Sequence, residues 1–203
     1  MPDSATAKQT DLKQRILREA AAMVRAEGVA ALSMRKLSKA VGASTMVLYT
    51  YFANKHDLLN QLYLEGYDHL RRKLEAVEPC ENPIHHVMNL GRAYRRAALD
   101  NPGAYDLMQG SSLQGVNLTP ESLRAGRESF KVLAEAVAVC MQAQLVAQSD
   151  PKAMAHVLWG AIHGPISLQL AGHFESDEEA EQSFETTLNI LKAGLLQRQP
   201  ADH

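Results

Sequence analysis

The chain has 203 residues, 46% of them hydrophobic and 5% aromatic, and a formal net charge of −2. That is enough apolar material for a buried core, and frequent Ala and Leu, with no alternating Val/Ile/Thr run, favour helices over sheet. No apolar run reaches membrane-spanning length, MPDSATAKQT lacks the apolar core of a signal peptide, and Cys80 and Cys140 form no metal pattern; the expectation is a cytoplasmic protein with reduced thiols, no metal, no cofactor and no membrane contact.

Residues 1–9 are polar and read as a mobile N-terminal segment. Thr10 is placed to cap a first helix, with Asp11 set against its dipole. Leu12, Ile16, Ala20 and Met23 form its buried stripe, Gly28 ends it, and Val29–Leu32 is a short connector. Ser33–Lys55, SMRKLSKAVGASTMVLYTYFANK, organises the rest of the chain. Ser33 caps a helix carrying Leu37, Ala40 and Val41, and Gly42 supplies the left-handed stop. Ser44 caps a second helix whose Leu48 and Phe52 face inward, leaving Thr45, Met46, Tyr49 and Thr50 on the other face. Asn54 caps a third, opening at Lys55. Three helices packed around Ile16, Leu37, Leu48 and Phe52 make a compact head.

Arg35 and Lys36 fall in the first turn after Ser33, where a cation opposes the helix dipole. A solvated basic turn is one explanation; an approaching phosphate is the other, and the helix-turn-helix spacing favours it. Through Leu58 the chain has nine basic residues against five acidic ones, and the remainder has 12 against 18. A basic head on an acidic body indicates that only the head meets a polyanion.

A helix from Lys55 to Val77, stopped by Pro79, starts in the head and carries Leu59, Leu62, Gly66, Leu70 and Leu74 into the body. At about 23 residues it spans roughly 34 Å, so it is a natural link between the two, with Gly66 as a weak point. Asn82-Pro83, Asn101-Pro102, Thr119-Pro120 and Asp150-Pro151 pair a cap with proline at the first helical position. They place helices over 83–100, 102–109, 120–147 and 151–173, with Gly110–Leu118 as the substantial loop. A last helix, 177–197, is capped by Ser176; dipole pairing explains its Asp177-Glu178-Glu179 start better than a metal site does. The fold class is all-α, about nine helices, with domains at 10–54 and 55–198.

In the body, Trp159 and His163 lie four apart on one helical face, open to a ligand-contact role, a packed core pair or a dimer face. His156, two turns before His163, is too far to share one zinc ion without further ligands. Gly160, Gly164 and Pro165 suit a close helix approach or a kink. Phe184, Leu188, Leu191 and Leu195 form a stripe expected to pack on the 151–173 helix and its mate in a second copy; an intramolecular core is the alternative.

Arg35-Lys36-Leu37-Ser38, Val41-Gly42-Ala43-Ser44, Val47-Leu48-Tyr49-x-Tyr51-Phe52 and Asn54-Lys55-x-x-Leu58 resemble the TetR family of one-component transcriptional regulators. Trp159-Gly160-Ala161-Ile162-His163-Gly164 resembles the Trp…His-Gly (WHG) signature of one C-terminal class of that family. The resemblance implies a homodimer, double-stranded operator DNA held by one head per half-site, and a small-molecule effector in the body of each subunit. It assigns DNA contacts to Arg35, Ser44, Thr45, Met46, Tyr49, Thr50, Tyr51 and Lys55. Tyr49, Tyr51 and Lys55 suit phosphates, and Thr45 and Met46 stand where side chains reach base edges. Thr45 stands where the family often has lysine or glutamine, and Met46 where a small residue is usual. With no Arg, Asn or Gln on the exposed face, Arg35 or indirect readout must carry more of the recognition.

For the effector the candidates are Tyr67, Met88, Tyr94, Tyr105, Met108, Phe130, Leu133, Met141, Trp159 and His163, a mixture of aromatic residues and adaptable methionines. The expected function is a repressor released from a pseudo-palindromic operator by a small apolar or amphipathic molecule, with dimerisation through the 151–173 and 177–197 helices. The rivals are a helical enzyme using His163 as general base, for which no nucleophile motif or phosphate loop is present, and a DNA-binding dimer with no ligand.

Overall fold

The computed structural model describes residues 4–109 and 117–196. Nine helices occupy the described residues: α1 (Ser4–Ala31), α2 (Met34–Ala40), α3 (Thr45–Tyr49), α4 (Lys55–Glu75), α5 (Pro83–Asp100), α6 (Pro102–Met108), α7 (Pro120–Gln142), α8 (Pro151–Leu170) and α9 (Asp177–Leu195). Besides helix there is one isolated bridge among the described residues, Val146 to Leu196. The expected loop Gly110–Leu118 lies, up to Val116, outside the described residues.

α4, α6, α8 and α9 end one to three residues earlier than expected, and three further differences have a local reason. α1 starts at Ser4, before Thr10, because Ser4–Gln9 has no breaker and is rich in helix formers. The expected stop at Gly28 is a kink (φ 79, ψ 167), after which the helix resumes to Ala31. α7 ends at Gln142 rather than 147, since Gln144 adopts φ 56. Leu145 N then donates to Cys140 O at 3.0 Å and Gln144 N to Met141 O at 2.9 Å, the hydrogen bonds of a helix stop that glycine usually serves.

Two compact units divide the chain, one of residues 1–68 with 101–126, the other of 69–100 with 127–203; α4 and α7 contribute to both. In the first, Ile16, Leu37, Leu48 and Phe52 are fully buried, as expected for the head. Leu17, Val24, Leu32, Leu58, Leu59 and Leu107 complete the core around them. Ser33 Oγ accepts from Lys36 N at 3.2 Å and Ser44 Oγ from Val47 N at 3.3 Å. Gly42 (φ 65) turns the chain so that Ala43 N donates to Ser38 O at 2.9 Å, and Arg15 Nη2 donates to Val41 O at 3.1 Å, closing the end of α2. Asn54 and Asp57 cap α4 reciprocally: Asp57 N donates to Asn54 Oδ1 and Ala53 N to Asp57 Oδ2.

α6 belongs to this unit and lies very close to α1. A Cβ on Gly103 would sit 2.7 Å from the Ala21 carbonyl oxygen, so only glycine fits there. Gly66, the expected weak point of α4, is closely packed. The helix runs through it, and a Cβ there would stand 3.1 Å from Ala104 Cβ and 3.3 Å from Met108 Sδ. Buried Asn60 accepts from Thr119 N (2.9 Å) and Ser122 Oγ (2.7 Å) and donates to His56 O and Asn117 O, fastening the start of α7 to α4.

In the second unit α5, α8 and α9 pack together. Here the terminal helix packs on α8 as expected, and two residues of its stripe take the intramolecular alternative. Phe184 and Leu188 are buried in the core of their own chain; a Cβ on Gly91 of α5 would lie 3.1 Å from Leu188 Cδ2, and Arg95 covers the Phe184 ring at 5.3 Å. The large apolar side chains left outside on these helices are Val157, Leu168 and Ile190. Arg92 and Glu185 join α5 to α9 by two 2.7 Å hydrogen bonds, and Arg95 Nε donates to Gln169 Oε1 of α8 at 3.0 Å.

Candidate DNA interface and effector region

α2, the Gly42 turn and α3 form the helix-turn-helix, and the eight candidate DNA contacts fall on and beside it. Arg35 is exposed in the first turn of α2. Its neighbour Lys36 is held by Glu27 of α1, which offsets a cation standing at a helix start. On α3, Met46 is 76% exposed and Tyr49 52%, three residues apart on one face, while Thr45 is half-buried. Ser44 is occupied as the cap, and the Thr50 hydroxyl donates to Val47 O at 2.6 Å. Tyr51 is half-buried with its ring 6.4 Å from that of Phe52, so part of it belongs to the core. Lys55 is half-buried, its Nζ 3.4 Å from the Ala30 carbonyl, a favourable place for a cation at the end of α1. From Met34 to Lys55 the chain carries four cations and no acid.

The ten effector candidates divide between the units. Tyr67, Tyr105 and Met108 lie in the first: Tyr105 is buried, Met108 touches Gly66, and Tyr67 meets Tyr63 with ring centroids 4.7 Å apart. Met88, Tyr94, Phe130, Leu133, Met141, Trp159 and His163 lie in the second. Met88 and Met141 are buried and Leu133 is half-buried. Tyr94 is the hub of the remainder. Trp159 Nε1 donates to Tyr94 Oη at 3.2 Å, and Tyr94 Oη lies 3.2 Å from His163 Nε2. If the phenol donates onward, His163 carries its proton on Nδ1. The Trp159 ring is 4.8 Å from that of His163 and 6.0 Å from that of Phe130. His156, not among the ten candidates, stacks on Phe130 at 4.2 Å. Sequence spacing pointed at His163 rather than His156; the signal for His156 is its three-residue offset from Trp159.

Burial drives the His163 pKa down from 6.5 to about 4, so the ring is neutral at pH 7. A general base works best with a pKa near the operating pH, and His163 is far weaker than that.

A helix-turn-helix with an exposed recognition face free of acids, joined to a body of long helices, defines a DNA-binding regulator. Residues 16–62 match the family described as bacterial regulatory proteins, tetR family, and residues 87–191 match the tetracyclin repressor-like C-terminal domain; the chain belongs to the TetR family of transcriptional regulators. Among relatives, the HTH-type transcriptional regulator Rv1816 of Mycobacterium tuberculosis is 22% identical over 180 residues, covering 74% of this chain and 76% of its own length. Among solved structures, the TetR-family regulator PfmR from Thermus thermophilus superposes with a TM-score of 0.74 at 20% identity, covering 90% of this chain and 100% of that one. A TetR-family regulator from Marinobacter aquaeolei gives 0.72 at 21% identity, covering 95% and 100%. Regulators of this family bind DNA as dimers. Among the described residues no helix is long and apolar enough to cross a membrane.

Proposed function

We propose that this regulator is a repressor whose dimer holds a pseudo-palindromic operator and releases it when a small apolar or amphipathic molecule binds the body. Arg35, Ser44, Thr45, Met46, Tyr49, Thr50, Tyr51 and Lys55 are its DNA contacts, with the lysine and tyrosines on phosphates. The observation that carries the effector reading is the Tyr94–Trp159–His163 cluster with Phe130 beside it: apolar walls around a few oriented polar atoms, the usual chemistry of a small-molecule site. Effector control then equals the difference in ligand affinity between the DNA-competent and DNA-incompetent arrangements, with α4 as the connecting helix.

Dimerisation through α8 and α9 is supported by what those helices leave outside: Val157 (62% exposed), Ile190 (67%) and Leu168, with Gly160 and Gly164 open to space. Small residues there permit close approach by a second copy. Val157→Arg with Ile190→Glu, both exposed in the chain, should yield a folded monomer by ultracentrifugation; a normal dimer would move the seam elsewhere. The effector reading is tested by a thermal-shift screen followed by operator-release titration. A compound that raises Tm and releases DNA, and loses both effects in His163→Ala, supports it. Release undiminished in His163→Ala would remove that residue, and stabilisation without release would leave a repressor not governed by that compound. Lys55→Ala should weaken binding similarly on all sequences and flatten the salt dependence.

A further inference from the structure

α3 is five residues long, so few side chains decide what it reads. The hydroxyls of the two residues that flank it are committed. Ser44 is the cap, and the Thr50 hydroxyl is turned onto the Val47 carbonyl. Leu48 is buried and Val47 half-buried. Among Ser44–Thr50 there is no Arg, Lys, Asn or Gln, the side chains that bond bidentately to guanine or adenine. What projects furthest is Met46, the most exposed large apolar residue among those described. A lone exposed apolar side chain is ordinary on a protein surface. Met46 differs in its place, one residue into a recognition helix flanked by cations, in a segment without acids. An unbranched thioether offers soft, adaptable van der Waals contact and only a weak acceptor. The apolar group that the major groove presents is the 5-methyl of thymine.

We infer that Met46 is a specificity-determining residue that reads a thymine 5-methyl group in each operator half-site. This rests on the DNA-binding reading of the head. It makes recognition by α3 a matter of shape and methyl contact, while Lys39 and Lys55 provide sequence-independent attraction to phosphate.

The test uses the full-length protein and a random-sequence duplex pool. After enrichment, each thymine of the selected duplex is replaced singly by deoxyuridine, which deletes the methyl and keeps every hydrogen bond. One position per half-site should weaken wild-type binding about three- to fivefold, the value of one buried methyl. Met46→Ala should bind the thymine and deoxyuridine duplexes equally, with wild-type salt dependence and Tm. The inference is overturned if no deoxyuridine weakens the wild type, or if Met46→Ala keeps the sensitivity. An unenriched pool would instead bring down the DNA-binding reading, and this inference with it. An enriched pool indifferent to deoxyuridine removes Met46 alone.

Discussion

The two compact units employ their polar side chains differently. In the first, side chains mostly serve backbone groups: Ser33, Ser44, Asn54 and Asp57 hold helix starts, Arg15 closes the end of α2 and Lys55 meets the end of α1. Lys36–Glu27 and Ser122–Asn60 cross between helices there too, but in the second unit such pairs run between the long helices, as in Arg92–Glu185, Arg95–Gln169 and Trp159–Tyr94–His163. Helix length explains the contrast. α2 and α3 have seven and five residues, so most of their backbone groups are terminal and a missing cap is costly. α5, α8 and α9 have 18 to 20 residues, and for them the problem is register against a neighbour. The first unit thus holds short helices by their ends; the second holds long helices by their flanks.

The sharpest break should come from Gly103→Ala, since the new Cβ meets the Ala21 carbonyl at 2.7 Å and backbone must move. A loss of about 3 kcal/mol, or roughly 10 °C in Tm, is expected for such overpacking, and an unchanged melt would mean that α6 is free to shift against α1. Asn60→Ala strips partners from Thr119 N, Ser122 Oγ and Asn117 O at once. It should cost about 2–3 kcal/mol in denaturant unfolding, and Ser122→Ala in the Asn60→Ala background should add little.

A pH series probes the second unit. The folded His163 pKa, about 4, lies below the unfolded value of 6.5, so the unfolded chain takes the proton first. Stability is full above pH 6.5 and falls as pH drops to 4, by about 1–2 kcal/mol once solvent access to the half-buried ring is allowed for. His163→Phe should flatten that stretch of the curve. Glu185, depressed by its hydrogen bonds and charge pairing with Arg92, adds a loss beginning below its ordinary 4.5.

The smallest effects compare a cap with an ion pair. Ser44→Ala should cost about 1 kcal/mol and Glu185→Gln, on a half-exposed pair, about 0.5 kcal/mol. Equal or reversed losses by chemical denaturation would erase the distinction between the units.

How much the sequence disclosed follows the same division. Ser33, Gly42, Ser44 and Asn54 were legible because caps and stops act within four residues along the chain, and Ile16, Leu37, Leu48 and Phe52 because helical spacing marks an inward face. The cap-proline pairs placed α5 to α8 for the same local reason. Tertiary packing decided what lay beyond that range. Periodicity marks Phe184 and Leu188 as apolar-faced but does not say which surface covers them; α5 does, from the same chain. Gly66 reads as a flexible point in one dimension, yet Ala104 and Met108 lie against it in three. Tyr94 meets Trp159 and His163 from 65 and 69 residues away, a separation at which no spacing rule acts. Local hydrogen bonding therefore determined where the helices begin and end, while long-range burial determined which of their faces remain exposed.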